Sequence, residues 1–351
     1  MANFYPTSRI KRFEYEVSKV STILPPEKVT IQRQVRIGKG VFSTVYGGHL
    51  ISEVEECEAN QVAIKIPNKN LDSIQGHHYH ELINEIAVLS KLKHANIIVF
   101  FGVLKVEEGI ALVFERVFGQ DMETLLCSRP SSQLNLTKSK QLLIGIARGM
   151  TYLHTQIKVM HRDLKPSNVL VNVDFGMLIP KICDFGMVSD PPSDPPSDPN
   201  GAYKDPLEQI VYYGTPLYAA PELPDPDHSF KVDVFSFAVV MWQTWARRRP
   251  FRSFKGSLHD LRFCVTTGLR EELDPECPWA DLISLCWQLE PTKRPAFEDI
   301  CLELEKCIIC EVEPVREICF VPEPHFLSLL PKRDKVFEDD ELNFNTCHSR
   351  R

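Results

Sequence analysis

His161-Arg162-Asp163-Leu164-Lys165-Pro166-Ser167-Asn168 puts one carboxylate, two cations and an amide within eight residues, and Asp184-Phe185-Gly186 begins sixteen residues after Asn168. Pro166 has no backbone N–H to give a helix interior, so the first stretch is a loop. It follows an apolar face at helical spacing, Leu142, Ile146, Met150 and Leu153, which ends near His154 and for which Thr137 is the expected N-cap. The second stretch is approached by the strand-like Ile179-Pro180-Lys181-Ile182-Cys183. Carboxylate and amide oxygens brought together from two loops suit magnesium, a hard cation that binds through one or two carboxylates plus substrate phosphates. Taken alone, either stretch also reads as a polar turn with satisfied side chains.

Upstream, Ile37-Gly38-Lys39-Gly40-Val41-Phe42-Ser43-Thr44-Val45-Tyr46 places two glycines where a strand turns back. Glycine allows backbone amides to approach a phosphate closely, although a plain hairpin reads the same way and Ser43 stands where a third glycine is often found. Val62-Ala63-Ile64-Lys65 sets one lysine in an apolar strand. A buried ammonium needs an anion, and Glu85 on the following helix or a bound polyphosphate would supply it; a lysine on the open face of an edge strand is the plainer reading. Around these, Val35, Ile37, Val41, Val45 and Val62 to Ile66 read as a small antiparallel sheet from Ile31. Leu82, Ile83, Ile86 and Leu89 read as one face of a helix over Glu81 to Leu92, and Ile97 to Val117 as further strand. Beyond Gly119 the pattern is helical, with Val234 to Trp245 apolar nearly all round.

In that order these elements resemble the eukaryotic-type protein kinases: glycine loop, strand lysine, helix glutamate, His-Arg-Asp loop with its asparagine, Asp-Phe-Gly, then Ala220-Pro221-Glu222, with Asp233 and Arg294 after them. The resemblance covers about residues 31 to 308. It implies an α+β fold of two lobes, a β-rich N-lobe over 31–117 and a mainly helical C-lobe over 118–308, with an N-terminal extension over 1–30 and a C-terminal tail over 309–351. It further implies ATP as phosphoryl donor, magnesium as its companion ion and a protein as acceptor. Lys65 then resembles the lysine on the α- and β-phosphates and Glu85 the glutamate that orients it, nine residues before His94. Asp163 resembles the base that accepts the hydroxyl proton, Lys165 would steady the γ-phosphate, and Asn168 and Asp184 would hold the metal. Ile37, Gly38, Lys39 and Gly40 would cover the phosphates. Val45 and Ala63 would wall the nucleoside from above and Leu170 from below, with Phe114 behind and Glu115 to Val117 offering hinge backbone to adenine.

Lys165-Pro166-Ser167-Asn168 and Gly214-Thr215-Pro216 are similar to serine/threonine kinases, whereas Leu285-Cys286-Trp287 with Arg294-Pro295 is similar to tyrosine kinases and the tyrosine-kinase-like group. Together they point to a serine/threonine kinase of the tyrosine-kinase-like group, with dual specificity left open. A pseudokinase scaffold would be expected to lack Lys65, Asp163, Asn168 or Asp184, and none is lost. A small-molecule kinase of related fold would lack Glu222 and its arginine. The segment from Asp184 to Glu222 holds the repeat Pro191-Pro192-Ser193-Asp194 and Pro195-Pro196-Ser197-Asp198, an expected exposed loop. Phosphate on Ser193, Ser197, Tyr203, Tyr212 or Tyr213 would have Arg162 as its partner, while Thr215 is assigned to the substrate side.

The weaker signals are read plainly. Cys307-Ile308-Ile309-Cys310 has metal spacing without a second pair, His77-His78-Tyr79-His80 reads as a solvated loop before the helix, and Arg247-Arg248-Arg249 reads as a solvated helix end. In all, 351 residues with 40 basic and 47 acidic side chains carry a net charge of -7, which disfavours nucleic acid and anionic lipid as partners. Eleven cysteines without framework spacing suggest reduced thiols in cytoplasm or nucleus, and no apolar run suggests direct membrane insertion. The termini, with Pro25-Pro26 at one end and Glu338-Asp339-Asp340-Glu341 at the other, are the expected places for docking partners.

Overall fold

A computed structural model of the protein describes residues 15–40, 43–51, 60–68, 76–107, 109–127, 134–174, 176–189, 214–225 and 228–307. Val41, Phe42, the Pro-Pro-Ser-Asp repeat, Tyr203, Tyr212, Tyr213, Cys310 and the acidic tail lie outside them. The chain divides into two compact units, one from residues 1–122, 148–157 and 167–188, the other from 123–147, 158–166 and 189–351.

The first unit is built on a six-stranded sheet ordered β1-β5-β6-β4-β3-β2. Its strands are β1 (Ile23–Leu24), β2 (Val29–Lys39), β3 (Ser43–Leu50), β4 (Asn60–Pro67), β5 (Phe100–Val106) and β6 (Gly109–Glu115). All neighbours are antiparallel except β1 on β5. Strand alternation sorts β4 into two faces. Val62, Ile64 and Ile66 are buried with Leu24, Val29, Leu104, Ala111 and Val113 in the core, each valine, leucine or isoleucine contributing about 1.5–3 kcal/mol when fully buried. Ala63 and Lys65 turn to the other face, where register sets Lys65 opposite Val45 and Ala63 opposite Phe114. The same unit carries a three-stranded sheet of β7 (Gly119–Asp121), β8 (Val169–Asp174) and β9 (Met177–Ile182), so these segments belong with the β-rich part of the chain.

Two features of this unit differ from the sequence reading. Helix α1 runs over Gly76–Leu89, so His77, Tyr79 and His80, expected in a loop, lie in its first turns. The apolar period that marks the helix begins only at Leu82, and Ile86 and Leu89 are its buried anchors. The second difference is the expected extension over residues 1–30. Val17 is wholly buried, Leu24 joins the core, and β1 lies along β5 with Ile23 opposite Val103 and Leu24 opposite Leu104. The Val103 N–H donates to the Thr22 carbonyl at 2.9 Å.

Gly102 explains how that carbonyl comes so close. Its φ is +143°, and a Cβ there would stand 2.5 Å from the Thr22 oxygen. Gly102→Ala is therefore expected to cost about 1–3 kcal/mol and to loosen residues 15–28. Tryptic cleavage at Lys19 and Lys28 measures this: faster cleavage in the variant is expected, and an unchanged rate would show that the segment does not depend on Gly102.

Among the described residues the second unit is helical. Helix α2 (Met122–Cys127) leads into it, and α3 (Leu136–Tyr152) is divided between the units after Ala147. The cap of α3 is Asn135, whose Oδ1 accepts from the Lys138 N–H at 2.9 Å; Thr137, expected there, lies inside the helix. Helix α4 (Lys231–Ala246) is buried from Val232 to Trp245, in line with its apolar surface. Helices α5 (Leu258–Thr266), α6 (Ala280–Cys286) and α7 (Phe297–Lys306) complete the unit, with Phe297 against Phe237 and Trp279 edge-on to Trp245.

Of the three arginines after α4, expected as a solvated end, Arg249 is exposed, whereas Arg247 and Arg248 are partly buried. Arg247 donates to the Leu134 carbonyl and the Ser139 hydroxyl, Arg248 pairs with Glu271 and lies over the Trp242 ring, and Arg249 pairs with Glu123 at 2.6 Å. Their partners are distant in sequence, so the run itself could not reveal them. Among the described residues no helix is long and apolar enough to cross a membrane.

Candidate active site

Apart from Lys165, the residues assigned by sequence to nucleotide and metal fall in the first unit. Lys65 Nζ stands 3.1 Å from Asp184 Oδ1 and 3.7 Å from Glu85 Oε1. Burial works against the Lys65 charge, but Glu85 and then Asp184 more than offset it, so its pKa is raised and the ammonium persists. Burial pushes the Glu85 carboxyl up, and Lys65 opposes that shift. The lysine side chain keeps 29% of its surface accessible and Asp184 keeps 50%, so a ligand can reach both.

The glycine turn is tied to β4 by a residue that sequence reasoning did not single out. Asn68 Nδ2 donates to the Gly40 carbonyl at 3.0 Å, its Oδ1 accepts from the Thr44 hydroxyl at 2.8 Å, and the Gly40 N–H closes the turn on the Ser43 carbonyl. Among the described residues, a Cβ at Gly38 would meet no atom within 4 Å. Of the residues expected to cover the phosphates, Ile37 has 40% of its surface exposed. Val45, Ala63 and Phe114 share the Lys65 face through their register. Leu170 sits on β8 opposite Asp121, and Val117 is buried just before β7. Glu115 is more committed than expected. Its N–H donates to the Val99 carbonyl, and its carboxylate accepts from the Val99 N–H and pairs with Lys181 at 2.8 Å. Its backbone N–H is therefore not a donor for a ligand, which leaves its carbonyl.

Asn168 and Asp184 form a donor set of amide and carboxylate oxygens, the hard type that magnesium takes, and they fit that ion. The Cys183 N–H donates to the Asn168 carbonyl at 2.9 Å, which links the two loops one residue before Asp184. Asp184 has φ +62°, left-handed backbone that a non-glycine residue adopts at a cost, while Phe185 next to it is 1% exposed and anchors the turn.

The residues assigned to the acceptor lie in the second unit. Asp163 Oδ1 accepts from the Thr215 N–H at 3.0 Å and the Thr215 hydroxyl at 2.8 Å. Lys165 Nζ donates to Asp163 Oδ2 at 2.7 Å and to Thr215 Oγ1 at 2.6 Å. Thr215, placed on the substrate side by sequence, is thus a direct partner of both loop residues, a contact that a separation of fifty residues and more hides in the sequence. The loop is held by wholly buried Asp233, whose carboxylate accepts from the N–H groups of His161 and Arg162, each at 2.8 Å. Arg162, like Asp184, has positive φ, +63°. Glu222 and Arg294 form a two-pronged ion pair at 2.5 and 3.0 Å, with the arginine side chain fully buried.

Residues 31–303 match the protein kinase domain family, and the chain belongs to that family. It is 31% identical over 303 residues to the dual specificity protein kinase shkA of Dictyostelium discoideum, covering 84% of this chain and 53% of that protein. It is 31% identical over 293 residues to the probable serine/threonine-protein kinase drkC of the same organism, covering 81% and 35%, and 29% identical over 290 residues to the probable serine/threonine-protein kinase SIS8 of Arabidopsis thaliana, covering 80% and 25%. The chain spans about half the length of the first of these relatives and less of the others. A protein kinase domain implies ATP as its substrate, with magnesium the ion that usually accompanies it.

Proposed function

We propose that this chain transfers the γ-phosphoryl group of ATP to serine and threonine hydroxyls of protein substrates, as a member of the tyrosine-kinase-like group acting in intracellular signalling, in cytoplasm or nucleus. The observation that carries the reading is the clamp of Thr215 and Lys165 on the Asp163 carboxylate, which fixes a proton acceptor in one orientation. Lys65 binds and orients the α- and β-phosphates, and Glu85 keeps its ammonium aimed. Asp163 orients the acceptor hydroxyl and takes its proton as the oxygen attacks the γ-phosphorus and the bond to the departing ADP breaks. Lys165 offsets charge on the transferred group. Magnesium held by Asn168 and Asp184 would neutralise charge on the phosphate oxygens. Little covalent work falls to the protein, so its contribution is alignment and charge. The kinase domain is taken as residues 31–308.

A second reading, dual specificity, is favoured by the name of the 31% identical relative. Phosphoamino-acid analysis of the chain and of a generic basic protein after incubation with ATP and magnesium separates the two. Phosphoserine and phosphothreonine alone are the expected result, added phosphotyrosine would establish the second reading, and phosphotyrosine alone would overturn both.

A further inference from the structure

Arg262 on α5 is 3% exposed, yet no carboxylate among the described residues forms an ion pair with it. Among the described residues its guanidinium donates only to backbone. Nη1 meets the carbonyls of Ala219 and, at 3.4 Å, Pro216; Nη2 meets the carbonyl of Ala220 at 2.8 Å; Nε is buried without a partner. Glu222, the carboxylate whose charge acts on Arg262, is engaged by Arg294. Burial pulls the Arg262 pKa down to about 10, against the pull of Glu222. A buried cation held by neutral carbonyls is costly, and an apolar side chain of similar volume would fill the site more cheaply. Packing alone therefore does not explain an arginine here.

What those carbonyls belong to does explain it. The Thr215 carbonyl accepts from the N–H of Tyr218 at 2.9 Å and of Ala219 at 3.1 Å, so residue 219 is tied to Thr215 through its nitrogen and to Arg262 through its oxygen. At the other end Gly214 has φ +134°, and a Cβ there would stand 2.8 Å from the Arg162 carbonyl, which fixes where the segment starts. Between these two fixed points stands Thr215, with its N–H and hydroxyl on Asp163. A planar fork of five donors can hold several carbonyls at once, which an ammonium does less well.

We propose that Arg262 is a positioning residue for the acceptor side, which holds the carbonyls of Pro216, Ala219 and Ala220 so that Thr215 keeps Asp163 oriented toward the incoming hydroxyl. The inference rests on the phosphoryl-transfer reading above and adds a residue that the family motifs do not include. Arg262 touches neither substrate and acts through residues 215–220.

The test uses the full chain with Arg262→Met and Arg262→Lys and reads two quantities. Hydrogen exchange across residues 214–223 is expected to quicken by about tenfold or more at the Thr215, Tyr218 and Ala219 amides in Arg262→Met and by less in Arg262→Lys. Steady-state kinetics, expressed per folded molecule, are expected to show kcat/KM for a protein acceptor falling by about a hundredfold in Arg262→Met, with KM for ATP unchanged and partial recovery in Arg262→Lys. Unchanged exchange at 214–223 overturns the proposal. So do constants for ATP and acceptor that fall in parallel with thermal stability, the pattern of a merely structural arginine. Should Arg262→Met not fold, Arg262→Lys carries both readouts. A wild-type chain that transfers no phosphate would defeat the proposed function, while the exchange measurement would still decide whether Arg262 positions Thr215.

Discussion

Asp163→Asn is expected to lower phosphoryl transfer by about 10²- to 10⁴-fold, the range that a positioned proton acceptor contributes. The substitution keeps the shape of the side chain, and its amide oxygen can still accept from the Thr215 N–H and hydroxyl, which in the native chain approach Oδ1 at 3.0 and 2.8 Å. What it loses is the ability to take a proton and the charge that holds Lys165 at 2.7 Å. ATP affinity is expected to change little, because Lys65, Glu85 and Asp184 belong to the other compact unit. Initial rates with saturating acceptor, together with nucleotide binding by calorimetry, check both halves. A variant that retains its rate would remove Asp163 from the chemistry.

Glu222→Ala carries the largest expected loss of stability, about 3–5 kcal/mol. It strips the carboxylate from a guanidinium whose side chain has no solvent exposure, and an uncompensated buried cation is far more costly than an absent pair. The loss also reaches Arg262, whose charge Glu222 favours. Chemical denaturation measures it, and pairing Glu222→Ala with Arg294→Met shows whether the cause is the stranded charge. The double variant is expected to be more stable than Glu222→Ala alone, since both partners of the pair are then gone. If Glu222→Ala costs less than about 1 kcal/mol, the range of an exposed pair, the ion pair does not stabilise this unit.

Much of this was legible in the sequence because it was local. The loops at 161–168 and 184–186 announce themselves by residue type and spacing, and the helical face at Leu142, Ile146, Met150 and Leu153 is wholly buried as its period requires. Strand β4 shows its two faces in the alternation of Val62, Ile64 and Ile66 with Ala63 and Lys65. What was not legible depends on partners distant in the chain. Strand β1 has two residues, too few for a period to register, and its place on β5 is set by pairing with Val103 and Leu104. Helix α1 begins at Gly76, before its apolar stripe, so its start was read as loop. Arg247 and Arg248 looked solvated because their acceptors come from residues 134, 139 and 271. Asn68 and Arg262 carry no motif at all, and their contacts, the Gly40 carbonyl and Thr44 hydroxyl for one and the Ala219 and Ala220 carbonyls for the other, give them a role.

The most direct test of the whole account is to give the purified wild-type chain γ-labelled ATP with magnesium and a basic acceptor protein, and to count label in protein beside label in a Lys65→Met control. Label in the acceptor and in the chain itself, lost in the control, is the expected outcome. A wild-type chain that binds ATP yet places no label on any protein would contradict it and would leave a kinase fold that binds nucleotide without transferring phosphate.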